Sequence, residues 1–86
     1  MHDTFLLNNI SKLLGEICEQ SKILKIDWLT IVVNHNSHVN EENLREHLLL
    51  NNANLLNSNF KIKVKRENIE EQTAIIQSIQ GETFGD

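Results

Sequence analysis

The run Ile26-Asp27-Trp28-Leu29-Thr30-Ile31-Val32-Val33 limits the fold of this chain more than any other segment. It is rich in β-branched residues and apolar on both faces, the pattern of a strand covered on both sides or nearly so. The covering elements have to come from the segments around it. Ahead of it, Leu7, Ile10, Leu14, Ile17 and Cys18 recur at three- and four-residue steps, and Phe5, Leu6 and Leu13 widen the stripe. That periodicity predicts a helix from Asp3 or Thr4 to about Ser21, with Asp3 or Thr4 as its cap. Gly15 inside the stripe costs roughly 1 kcal/mol against Ala, which predicts a close packing contact at that position.

After the polar loop Asn34-His35-Asn36-Ser37-His38, a second helix is predicted from Asn40, a good N-cap. Glu41 and Glu42 suit the positive end of its dipole, and Val39 can staple onto Leu44. Leu44, His47, Leu48 and Leu50 are expected on its inner side, and Asn51-Asn52 end it. Phe60-Lys61-Ile62-Lys63-Val64-Lys65 alternates strictly, so it is a strand with one face buried and one wet. Thr73 to Gln80 reads as the last strand, although its length alone also suits a helix. The short connection Arg66 to Gln72 predicts an antiparallel hairpin of the final two strands, and Gly81 to Asp86 a frayed tail. The fold class is therefore α+β, two helices packed on a three-stranded sheet in the order α-β-α-β-β, one domain spanning residues 1–86.

Composition narrows the function. A single cysteine, Cys18, cannot close a disulfide, and an apolar-flanked lone thiol suits a reducing compartment. The formal charge of −4 argues against a nucleic-acid footprint. No segment is apolar and long enough to span a membrane, and the start does not resemble a signal peptide, so a cytoplasmic location is expected. Enzyme signatures are absent: there is no nucleophile beside a base, no nucleophile elbow and no phosphate-binding loop, and the expectation is a protein that binds and does not catalyse.

The chemistry is concentrated at Met1-His2-Asp3. A histidine at the second position lets the α-amine, the intervening amide nitrogen and the imidazole bind one metal ion in fused five- and six-membered rings. The Asp3 amide nitrogen can complete a plane of four nitrogens. Such a set favours Ni(II) or Cu(II) over Zn(II). Taken alone, the tripeptide more simply begins a helix with Asp3 as cap. His35 and His38 form a His-x-x-His spacing, but in a loop that spacing fixes little geometry, and two solvated histidines are the plainer reading. His47 is expected at the boundary of the core, and Cys18 as a packed thiol.

Met1-His2-Asp3, the first amphipathic helix, the strand ending at Val33, the capped helix at Asn40, the strand Phe60 to Val64 and the closing segment Gln72 to Ile79 resemble, in this order, the HypA-type nickel metallochaperones. These accessory proteins help insert nickel into [NiFe]-hydrogenase and, in some bacteria, urease. Family members begin Met-His-Glu, and the resemblance places Ni(II) on Met1, His2 and Asp3. It implies a partner of the HypB type, a nickel-loading GTPase, or a maturing nickel-enzyme subunit. The family also inserts a zinc ribbon, two Cys-x-x-Cys pairs, between its last two strands; here that interval is Arg66 to Glu71, and no structural zinc is expected. Asp3 stands where the family has Glu, and Asn34-His35 where it has a Gly-Glu turn. The alternative is an interaction or regulatory module that keeps the fold without the metal, with the exposed edge of the sheet as a pairing site for a partner or a second copy.

Overall fold

The computed structural model describes residues 4–84. Helix α1 (Thr4–Ser21) leads through Lys22 into strand β1 (Ile23–Asn34); helix α2 (Glu41–Asn51) and a 3-10 turn (Ala53–Leu55) lead into β2 (Leu56–Glu67), and β3 (Ala74–Thr83) closes the chain. Two helices pack on a three-stranded sheet of order β2-β1-β3, as the periodicities predict. The tripeptide Met1-His2-Asp3 lies outside the described residues, as do Gly85 and Asp86.

One pairing differs from the sequence expectation. The final two strands do not form a hairpin: β2 runs parallel to β1 on one side, and β3 runs antiparallel to β1 on the other. The reason lies in β1 and α2 together. A helix between two adjacent strands acts as a crossover and returns the chain parallel to its predecessor. That leaves the other edge of the most apolar strand unpaired, and β3 fills it. Residues 68–73 pass over the end of β1, where the Asn34 Nδ2 donates to the Ile69 carbonyl.

The core lies between the helices and one face of the sheet. Leu6, Ile10, Leu14 and Cys18 project from α1, and Leu44 and Leu48 from α2, onto Ile26, Leu29, Ile31 and Val33 of β1. The opposite face of β1 is also screened: Thr30 and Val32 are buried although no helix covers them. Trp28, its Nε1 donating 3.2 Å to the Thr30 Oγ1, lies on that side. Opposite it and its neighbours stand Lys61, Lys63 and Lys65 of β2, whose alkyl stems can shield apolar atoms while the ammonium groups stay wet. Lys65 Nζ reaches over to the Gln77 Oε1 of β3 at 3.1 Å.

Other expectations divide. The Asn40 cap forms a reciprocal capping box with Asn43, each backbone N–H donating to the other's side chain at 2.9 Å. Leu50 is 85% exposed, so the inner side of α2 is narrower than its leucines suggest. The strand continues through Gly81, Glu82 and Thr83 where a frayed tail is predicted, and the Phe84 N–H donates to the Lys22 carbonyl at 2.8 Å. The two glycines exchange roles. A methyl group on Gly15 would meet nothing within 4 Å, so no close packing contact accounts for it. A methyl group on Gly81 would fall 1.9 Å from the Lys25 carbonyl oxygen, so the approach of β3 to β1 beside the irregularity at Asp27 requires a residue without Cβ.

Candidate functional site

Three chain segments meet at the end of the sheet where β1 terminates. Loop 35–40 leaves there, residues 68–73 cross there, and α1 begins there: Leu6 of α1 lines one cleft with Gln72, Thr73 and Ala74, and Ala74 pairs with Val33. In the sequence, Met1-His2-Asp3 comes directly before Thr4, the first residue of α1.

Asn34 organises the junction. It is buried, and its polar atoms are used: Nδ2 on Ile69, Oδ1 accepting the Asn36 N–H at 2.7 Å, and the main-chain carbonyl accepting from Arg66 Nη1 at 3.4 Å. Arg66 holds the outer turn as well, donating to the carbonyls of Ser37 at 2.8 Å and Val39 at 2.6 Å. A guanidinium spread over three carbonyls braces a loop far better than a lysine would, because its donors are fixed in a plane. Sequence reasoning assigns neither residue this role. An Asn ending an apolar strand and an Arg ending an alternating one are the signals that point to it.

His35 and His38 are both exposed on this loop, as two solvated loop histidines would be. The main-chain carbonyl of His38 accepts from Asn43 Nδ2 at 2.8 Å, which ties the loop to the α2 capping box. A second, smaller cleft of about 200 Å3 is lined by Asn36, Ser37, His38, Glu71 and Gln72, so Gln72 borders both clefts. Among the described residues, no three of His, Cys, Asp and Glu gather as a metal site. The predicted donors Met1, His2 and Asp3 lie outside the described residues.

Two titrating groups are displaced from their ordinary values. Glu41, in the first turn of α2, has its carboxyl held down chiefly because it accepts the Val64 N–H at 2.8 Å; Arg66 and Lys63 add to this, and partial desolvation opposes it. Burial pushes the Cys18 thiol up, which makes it a packing group and a poor nucleophile. His47 is half-buried on α2, and its Nε2 is enclosed with no hydrogen-bond partner among the described residues. No helix among the described residues is long and apolar enough to cross a membrane. No protein-family model matches the chain, and neither a curated protein nor a solved structure matches it.

Proposed function

We propose that this chain is a nickel-binding accessory protein of the HypA type that carries Ni(II) on Met1, His2 and Asp3 for the maturation of a nickel enzyme. The observation that carries the reading is the chelating tripeptide placed directly ahead of a helix that begins at Thr4. The α-β-α-β-β order behind it, which the resemblance implies, supports the reading further. Nickel is cargo in this scheme. The α-amine, the amide nitrogens of His2 and Asp3 and the His2 imidazole are a nitrogen set that suits a square-planar ion, and no proline blocks either amide. Ligands at a chain end release one at a time, which favours transfer by exchange to a nickel-loading GTPase or a maturing subunit. Protons compete for the amine and the imidazole, so binding weakens as pH falls.

Nothing here supplies the ribbon of a longer family member. The only cysteine is buried Cys18, and the connection between β2 and β3 is Asn68-Ile69-Glu70-Glu71-Gln72-Thr73.

Titration of the untagged chain with Ni(II), after its mass confirms that it starts at Met1, tests the reading. The expected result is a visible d–d band that is lost in His2→Ala and kept in the His35→Ala/His38→Ala pair. A band that survives His2→Ala, or disappears with the loop pair, refutes it. The second reading, an interaction module without metal, is favoured by one observation, the unguarded edge of β3. Partner capture that is indifferent to His2→Ala would support it.

A further inference from the structure

The sheet has two outer edges, and they are guarded differently. On β2, the Val64 N–H donates to Glu41 at 2.8 Å and the Phe60 carbonyl accepts from Arg45 at 3.1 Å, so side chains of α2 occupy main-chain groups a docking strand would need. Lys61, Lys63 and Lys65 on the same strand would oppose their own copies. Strand β3 has neither defence. From Ala74 to Gly81 it contains no charged residue and no proline, and among the described residues no strand neighbours its side away from β1.

The pairing register of β3 adds a specific property. Ala74, Ile76, Ile79 and Gly81 stand opposite the core residues Val33, Ile31, Leu29 and Ile26. Ile75, Ser78 and Gln80 stand opposite Val32, Thr30 and Trp28 on the open face. Gln77 is the extra residue at the irregularity between Thr30 and Ile31, and its bond to Lys65 places it on the open face too. From residue 74 to residue 81 the order is core, open, core, open, open, core, open, core, which is the same in both directions. A strand with that order can lie antiparallel against its own copy and match faces at every position. An ordinary alternating stretch of even length has no such symmetry about its centre, since the residues on either side of the midpoint face opposite ways.

The helix above this edge is seated loosely. Between α1 and β3 lie clefts of about 380 Å3, by Leu6, Leu13 and Ala74, and about 250 Å3, by Ile17, Ile76 and Ile79. Leu13 is 41% exposed at the first. We propose that two copies of this chain pair β3 to β3 about a twofold axis between Gln77 and Ser78, joining the two sheets into one, with the α1 helices meeting across the axis and closing the clefts. The interface is isologous: Ile76 of each copy faces Ile79 of the other, and Gln77 faces Ser78. It requires no metal and stands or falls apart from the nickel proposal.

Sedimentation velocity on the untagged chain, from low micromolar to near-millimolar concentration, is expected to show a monomer–dimer equilibrium. A monomer throughout overturns the proposal. Gln77 and Ser78 are both exposed, so charge can be placed on them without entering the core. The variant Q77E/S78E sets like charges against each other at the axis and is expected to raise the dissociation constant by roughly 100-fold. Q77E/S78K sets opposite charges there and is expected to restore the dimer. An unchanged dimer in the first variant, or no recovery in the second, overturns the twofold pairing. Where a variant fails to fold, amide exchange on the unaltered chain decides: β3 amides are expected to exchange more slowly at high concentration than at low, and equal rates refute the interface.

Discussion

The two helices sit on the same face of the same sheet, yet they are held by different means. Helix α1 is held by a continuous apolar stripe, Leu6, Ile10, Leu14 and Cys18, every member of which is buried. An exchange with Asn52 adds to this: Ser11 Oγ donates at 2.5 Å and the Ser11 carbonyl accepts at 3.2 Å. Helix α2 buries only Leu44 and Leu48 and is pinned by its polar face instead. Its capping box closes its own first turn, while the Glu41 bond to Val64, the Arg45 bond to Phe60 and the Arg45 guanidinium 4.4 Å from the Phe60 ring centre fix it to β2. The difference has a structural consequence. Clefts lie between β3 and α1, which is held chiefly by burial, whereas α2, held by directed bonds, occupies main-chain groups of the edge it faces. One edge of the sheet is thereby guarded and the other left free.

The contrast is broken most severely on the side of α1. Leu14→Ala removes a fully buried side chain from the centre of the stripe and is expected to cost about 3–4 kcal/mol in chemical denaturation. An equal truncation at exposed Leu50 of α2 should leave stability within about 0.5 kcal/mol. Asn40→Ala strikes the polar anchoring of α2 by removing half of the capping box, and about 1 kcal/mol is expected from the same measurement.

Glu41 extends the comparison to pH. Its folded-state carboxyl titrates below the ordinary value, so the contribution of its bond to Val64 is fully present above the unfolded pKa of about 4.3 and is lost as pH falls through the lower folded value. The stability gap between the natural chain and Glu41→Gln should therefore be constant at neutral pH and close in acid. A gap that persists below that range would show that the carboxylate charge is not its source. The smallest effect has the opposite sign. Gly15→Ala meets open space in the interior of α1 and is expected to stabilise the fold by about 0.5–1 kcal/mol, visible as a higher thermal midpoint.

How far the fold was legible follows the same division. The stripe of α1 and the alternation of Phe60 to Lys65 repeat over several turns or pleats, and both elements are found where those periods predict them. The cap at Asn40 is a local chemical signal and is equally readable. Leu50 misleads because three consecutive leucines, 48 to 50, cannot all face inward on a helix, and α2 is held by bonds that leave no periodic trace. The pairing of β3 with β1 is a matter of topology. A connection as short as residues 68–73 suits a hairpin as well as a passage over the end of one strand, so its length does not show that β3 takes the free edge of β1. Gly81 was invisible because the close approach that requires it depends on an irregularity in a strand far away in sequence. Of the site, the donor chemistry of Met1-His2-Asp3 is readable from residue types alone, whereas the Asn34 and Arg66 junction beside α1 needs three dimensions to be seen.

The central functional claim is that the α-amine of Met1 is a nickel ligand, and acetylating that amine tests it most directly. Acetylation removes one donor while leaving His2, Asp3 and every residue of the fold unchanged. Visible absorption should show the square-planar Ni(II) band for the free amine and no such band, at equal metal and protein concentration, for the acetylated chain. An undiminished band after acetylation would contradict the claim and move the metal elsewhere.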